Sequence, residues 1–336
     1  MVKLSDVIES NGRIASELPP GLVAVFPGGT SGIGEYSVLA LAKHARQPKI
    51  YLVGRSQSAA DRIIAECKRL NPEGQYFFLA TDASLIKNVD DVCRQLREKE
   101  KAINLLFLSI GSLNMKPETS EGLKQSFALG FYARMRFIGN LLPQLQAAQG
   151  LRRVVTVLAA NREGDVDLND IGCKRPVSVA VRNQFMSMTT LTLEEMSRRA
   201  PDVSFIHGFP GMVRSGIGRD VSGFFGVLLN LAMGVLAPVV CIPDAESGER
   251  HVFLATSDMY PPRDSGKADG VRWGVARGTD GVPGSGVYSI SEKNDNGPRS
   301  VDDVLARLRK EGVREKVWEH LMSEFERITG TPGMLA

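Results

Sequence analysis

The stretch Gly28-Gly29-Thr30-Ser31-Gly32-Ile33-Gly34 has the residue types and spacing to hold a pyrophosphate. Glycines at 28, 32 and 34 let the chain turn tightly and let a phosphate approach the backbone. There the N–H groups opening a helix, and the positive end of its dipole, favour an anion. A glycine cluster is also what an ordinary turn contains. This one gains weight from its place, directly after an apolar β-prone run and directly before a helical one. The next β-prone run ends Val53-Gly54-Arg55-Ser56, with no acidic residue to bind a ribose 2′-hydroxyl. Arg55 and Ser56 offer charge-assisted bonds to a 2′-phosphate instead, so NADP(H) is expected in preference to NAD(H). The alternative for Arg55 is a solvated side chain opening a helix. Asp82 and Ala83 follow the third β-prone run, where either an adenine contact or a helix cap is expected.

These groups need a frame, and the apolar pattern supplies one. β-prone runs at 22–26, 49–53, 76–80, 103–107, 153–157, 203–207 and 286–290 alternate with helical stretches at 33–46, 59–70, 86–100, 123–149 and 178–199. Further helical patterns cover 244–255 and 301–328. Such alternation predicts an α/β fold, a Rossmann-type doubly wound parallel sheet of about seven strands. Pro19-Pro20-Gly21 closes a short helical extension over 1–20; the main domain is expected over 21–292, with a C-terminal helical extension over 293–336.

With 336 residues, 43% hydrophobic and 24% charged, the chain has material for one large soluble domain. A net charge of +3 without basic runs gives no case for nucleic acid. Cys67, Cys93, Cys173 and Cys241 form no CxxC pair, and the four histidines share no ligand spacing with carboxylates, so no metal is expected. His207 ends the sixth β-prone run near the cofactor side, although a core role is the expectation there. The opening residues lack an apolar leader, which points to a cytoplasmic setting. Residues 221–243 are 23 uncharged positions, long enough by length alone to cross a bilayer. Their glycines, Asn230 and Pro238, and the β-prone run still to come, point instead to a substrate lid over about 216–243; membrane-surface contact through 221–243 stays open. Phe224, Phe225, Leu228 and Leu229 would give that lid an apolar inner face.

Taken together, the glycine loop, Gly54-Arg55, Asp82, Leu141-Leu142-Pro143 and Pro210-Gly211-Met212-Val213 resemble the short-chain dehydrogenase/reductase family over about residues 20–257. Leu105 to Ser109, Arg134-Met135-Arg136-Phe137 and Thr190 to Glu195 resemble, more narrowly, divergent fungal members found in secondary-metabolite pathways. The resemblance implies that Pro210 and Gly211 line the nicotinamide, that Val213 offers its backbone to the carboxamide, and that Ser215 stands near the pyrophosphate. Ser109 and Gly111 occupy the place of the family's Asn-Ala-Gly. The departures are larger than this one. Pro27 replaces the loop's first threonine, Gly130 falls where a helix asparagine carries a relay water, and Ala159 falls where the catalytic serine stands. Counted back from Pro210, the family's Tyr-xxx-Lys pair falls near Ser178 and Arg182. No tyrosine lies anywhere between 133 and 259, so no shift of register restores it.

In the family the tyrosine protonates a developing alkoxide as hydride arrives, and losing a positioned acid costs roughly 10²–10⁴ in rate. A substitute set is therefore expected: Ser178 to hydrogen-bond the substrate, Arg182 to stabilise anionic charge, with Tyr132 and Asn161 as further polar candidates. The implied activity is oxidation or reduction of a small apolar metabolite (a ketone, enone or imine). Two other readings stay open: a redox-neutral isomerase, dehydratase or cyclase on the same scaffold, or a cofactor-binding protein without catalysis. The family commonly pairs through the helices that correspond to 123–149 and 178–199. Arg134 and Arg136 on the first, and Arg198 and Arg199 on the second, leave a homodimer open.

Overall fold

Valine, isoleucine, leucine and phenylalanine fill the β-prone runs without polar alternation, the pattern of strands covered on both faces. The computed structural model describes residues 1–112, 118–175, 178–214, 241–265 and 271–333. Its strands are β1 Val23–Pro27, β2 Lys49–Gly54, β3 Gln75–Ala80, β4 Leu105–Leu108, β5 Arg153–Val157, β6 Ser204–Gly208 and β7 Val287–Ile290. They form one sheet in the order β3-β2-β1-β4-β5-β6-β7, with every neighbouring pair parallel. Every residue of β4, β5, β6 and β7 is buried, whereas the edge strand β3 alternates and leaves Phe77 exposed. The order reverses between β1 and β4, and at such a switch point the strand ends splay to leave a crevice.

Helices cover both faces. On one side lie α1 Leu4–Gly12, the short α2 Ile14–Glu17, α3 Gly32–His44 and α9 Asp244–Thr256. On the other lie α5 Ile86–Lys99, α7 Ala133–Ala147, α8 Val179–Arg199, α10 Arg299–Lys310 and α11 Val313–Thr329. Helix α4 Gln57–Leu70 packs against α3 and the β3 edge. A single turn α6, Gln125–Phe127, runs through a π-helical turn at Ala128–Tyr132 into α7.

The strand and helix boundaries fall within two residues of those read from the sequence for nearly every element. The 301–328 pattern is two helices, because Gly312 adopts φ 72 and breaks the run. Leu305, Leu308, Val317, Leu321 and Phe325 all point into the layer under α8 and α5, so these helices complete the main core. The N-terminal extension docks through Asn11, which is fully buried and donates to the Glu249 carboxylate at 2.7 Å and to its carbonyl at 2.8 Å. Lys43 and His44 reach the same carboxylate. Burial alone would raise the Glu249 carboxyl, but His44, Asn11 and Lys43 outweigh it and bring it down to about 2.

Ser215, and 216–240 of the expected lid and membrane-contact segment, lie outside the described residues, Phe224, Phe225, Leu228 and Leu229 among them. Among the described residues no helix is long and apolar enough to cross a membrane, and no three His, Cys, Asp or Glu side chains group to hold a metal ion.

Candidate cofactor and substrate cleft

β1 ends at Pro27, and Gly28, at φ 90, turns the chain into the helix that begins at Gly32. Here glycine is required by space. A Cβ on Gly28 would sit 2.6 Å from the Ile110 nitrogen, and one on Gly34 would sit 2.3 Å from the Gly28 carbonyl oxygen. The loop thus presses against the chain leaving β4, which closes the crevice at the switch point. Ser31 precedes α3 in extended conformation and makes no side-chain cap, so the first-turn N–H groups are not taken by that hydroxyl.

A cleft of about 400 Å³ starts at this loop. Gly28, Thr30, Ser31, Ile33 and Gly34 form one end with Arg55, Asp82 and Ala83; Ser109 and Gly111 form the middle. Leu129, Phe185 and Met186 make an apolar far end under Pro210, beside Ala159 and Arg182. Phe185 is held edge-on by Phe127 at 5.0 Å and by Phe131 at 6.0 Å. The π-helical turn brings Leu129 and Gly130 to the wall, and the ring of Phe185 fills the space a Gly130 side chain would need, 2.8 Å from its ideal Cβ.

Arg55 is exposed at the nucleotide end. Asp82 accepts a bond from Ser84 N at 3.0 Å, a local turn that fixes its carboxylate. Gly32 is buried at the first turn of α3, and Ser56 caps α4, its Oγ accepting from Ala59 N at 3.3 Å. Beyond Pro210 the chain turns away. Gly211 lines a separate depression with Met212, Ile242 and Glu292, and Val213 pairs with Ile242 in an isolated bridge.

The four catalytic candidates from the sequence do not converge. Arg182 lines the cleft, its Nη2 donating to Asn183 Oδ1 at 2.9 Å. Ser178 is the exposed N-cap of α8, and its Oγ accepts from Val181 N at 3.2 Å. Tyr132 is 2% exposed and turned into the α7–α11 layer, where its hydroxyl meets His320 Nε2 at 2.8 Å. Asn161, at φ 66, sits behind the cleft with its backbone N donating to Ser289 Oγ at 3.1 Å. Among the described lining residues the ionisable groups are Arg55, Asp82, Arg134 and Arg182, and no tyrosine, lysine, histidine or cysteine reaches the cleft. Burial raises the thiols of Cys67 and Cys173 to about 12 and that of Cys93 further, which makes them inert.

Arg134 is the cleft residue that the sequence reading placed elsewhere. Read as one of two cations on a pairing face, it lies inside the subunit, 1% exposed and lining the cleft. Its Nε donates to the Ile110 carbonyl at 3.0 Å, and its Nη1 donates to Thr156 Oγ1 at 2.7 Å and to the Val157 carbonyl at 2.8 Å. Nη2 also donates to Ile110. One guanidinium therefore ties the chain ends leaving β4 and β5. Arg136 turns inward too, onto Asp90 at 2.6 Å and the Phe325 ring at 4.9 Å. The signal was present: both arginines stand in an otherwise apolar helix, where a charge must find partners or water.

Behind the far wall lies a second polar group. Thr156, His207 and Ser289 are register partners on β5, β6 and β7. Glu163 Oε1 accepts from Thr190 Oγ1 and from Ser289 Oγ, each at 2.8 Å. All of this is buried, and Glu163 Oε2, His207 Nε2 and Asn161 Nδ2 find no partner among the described residues.

The short chain dehydrogenase family profile matches residues 22–163. Oxidoreductase AN1596 of Emericella nidulans is 36% identical to this chain over 96% of it and 98% of that protein. Short-chain dehydrogenase/reductase SAT2 of Stachybotrys chartarum is 30% identical over 93% of this chain and 95% of its own. Among solved structures, the L-sorbose reductase of Gluconobacter frateurii, complexed with NADPH and L-sorbose, superposes with a TM-score of 0.51 at 18% identity. That match covers 70% of this chain and 90% of the reductase, a likeness of fold.

Proposed function

The chain belongs to the short-chain dehydrogenase/reductase family, and we propose that it is an oxidoreductase that binds NADP(H) in preference to NAD(H) and acts on a small apolar ketone, enone or imine. The carrying observation is the continuity of the cleft, from a glycine-walled end that holds Arg55 and Asp82 to an apolar, aromatic-walled one. The first end suits a pyrophosphate and a 2′-phosphate, and the second suits a bulky apolar acceptor. A bound nicotinamide cofactor would supply or accept hydride. The loop at 28–34 would hold its pyrophosphate through backbone N–H groups, Arg55 would take the 2′-phosphate, and Asp82 with Ala83 would meet the adenine. Phe185, Met186 and Leu129 would exclude water from the reacting carbon, and Arg182 would offset negative charge developing on the acceptor. A role in secondary metabolism, which rests on the sequence resemblance, and a cytosolic setting complete this reading.

The lining residues also bias the chemistry. With no tyrosine, lysine, histidine or cysteine among the described ones, acceptors that bring their own polarisation, such as an iminium or a conjugated enone, suit this site better than a simple ketone. The same observation favours a second reading, a redox-neutral isomerisation or cyclisation guided by Arg134 and Arg182. Calorimetric titration with NADPH and NADH, followed by a screen of imines, enones and ketones for NADPH consumption, decides between them. Micromolar binding with NADPH preferred, and consumption with an acceptor, supports the oxidoreductase. Product formed without net cofactor oxidation supports the second reading, and no binding of either nucleotide removes the first.

A further inference from the structure

Arg134 is a buried cation that no carboxylate balances among the described residues. Its hydrogen bonds go to carbonyl and hydroxyl oxygens, which satisfy its N–H groups but leave its charge whole. Burial pushes the guanidinium down to about 9 with no offsetting charge, still above neutrality, so it is cationic at pH 7. The other arginine at this end of the cleft differs in kind. Arg182 is exposed, and water and salt screen it. Arg134 is 1% exposed, and its field enters the cleft through low-dielectric protein. With at least four of its five N–H groups spent on the protein, what it gives to a ligand is charge rather than a contact.

The two forms of a nicotinamide cofactor differ at the ring by one unit of charge: the oxidised ring is cationic, the reduced ring neutral. Arg134 sits between the chain ends leaving β4 and β5, bonded to the Ile110 and Val157 carbonyls, where the middle of the cleft at Ser109 and Gly111 meets the end that holds Leu158 and Ala159. We infer that Arg134, acting through its charge, makes the cleft bind the reduced cofactor in preference to the oxidised one. The inference rests on the cofactor reading above. A unit charge acting through a protein-like effective dielectric over several ångströms changes affinity by about tenfold or more. The same field would favour release of an oxidised cofactor over a reduced one.

The test is a set of titrations of the full chain at fixed ionic strength with NADPH, NADP+ and 2′-phospho-ADP-ribose, which lacks the nicotinamide. The expected result is NADPH binding about tenfold or more tighter than NADP+, with NADP+ no tighter than the ring-less fragment. Arg134→Lys should keep that ratio and Arg134→Met should bring it towards one. Equal affinities of the wild-type protein for NADPH and NADP+ would overturn the inference while leaving the cofactor reading intact, and this comparison does not depend on any variant folding. An unchanged ratio in a folded Arg134→Met protein would overturn it too. If the fragment and both cofactors all fail to bind, the cofactor reading falls and takes the inference with it.

Discussion

Glu163 and His207 face each other with Oε1 and Nδ1 3.6 Å apart, and neither side chain has any exposure to solvent. Thr190 lies between them, its hydroxyl 2.8 Å from the carboxylate and 2.9 Å from the imidazole. A hydroxyl has one proton to give. With that proton on the carboxylate, Thr190 accepts from His207, which places a hydrogen on Nδ1. Ser289 supplies a further donor to the same carboxylate oxygen, and Thr156 stands beside His207 on β5 with Arg134 attached. One polar row thus crosses three strands just behind the cleft, and it ties the cleft's back wall to the sheet.

This arrangement makes acid stability depend on Glu163. Burial would raise its carboxyl, yet the neighbouring His207 and the hydrogen bond from Ser289 outweigh that and hold it below the usual carboxylate range. A folded value below the unfolded one gives stability that is present above about pH 4.3 and lost as pH falls through the folded value. Between pH 6 and pH 3.5 the wild-type melting temperature should therefore drop more than that of Glu163→Gln. At pH 6 the variant should itself be less stable by about 1–3 kcal/mol, from buried groups left without their charged partner. Parallel acid slopes for the two proteins in a thermal melt would remove Glu163 from this role.

Arg55 is the proposed carrier of the NADPH preference, and it makes no ion pair among the described residues that would have to be broken first. Arg55→Asp should weaken NADPH about 10- to 100-fold, the size of a charge-assisted bond, and leave NADH nearly untouched. Equal losses for both nucleotides, measured by calorimetry, would mean that the side chain acts on the fold or on the shared pyrophosphate.

The frame was legible because its causes are local. Continuous apolar runs, helical spacing and a glycine loop between the first two elements dictate a parallel sheet and its crevice, and β5 begins and ends where its residues said it would. The candidate site divides along the same line. The 28–34 loop, Arg55, Asp82 and Ser109 belong to short segments whose geometry follows from sequence neighbours, and they meet in one cleft. Arg134, Glu163 and His207 work through partners 17 to 126 positions away, and no spacing rule announces such pairs. Tyr132 illustrates the converse. Its chemistry made it a candidate, but the π-helical turn ends at this residue and its ring faces the α11 side.

Ser178 and Arg182 share a helix turn but should separate in function. Ser178 caps α8, so Ser178→Ala should cost about 0.5–2 kcal/mol in stability and leave cofactor affinity and turnover unchanged. Arg182 lines the cleft and is held among the described residues by Asn183, so Arg182→Ala should lower kcat/KM about tenfold, as the loss of a charged contact at a partly solvated site would. Denaturant midpoints beside steady-state kinetics resolve the two. If turnover survives Arg182→Ala, the anionic-stabiliser role passes to the buried Arg134.

Tyr132 offers a sharper separation, because its hydroxyl is a good acid in the wrong place. Burial raises it well above its ordinary value, and its partner His320 is held below the usual imidazole range, first by its own burial. Neither group is poised to exchange a proton near neutrality, and neither lines the cleft. The contact instead joins the π-helical turn to α11, across a layer that includes Phe131. Tyr132→Phe keeps the ring and removes one hydrogen bond, so it should lower stability by about 1 kcal/mol while NADPH affinity and kcat stay within twofold of wild type. A hundredfold fall in kcat with unchanged melting temperature would mean that the hydroxyl reaches the substrate after all, and that the π-helical turn rearranges when the cleft is filled.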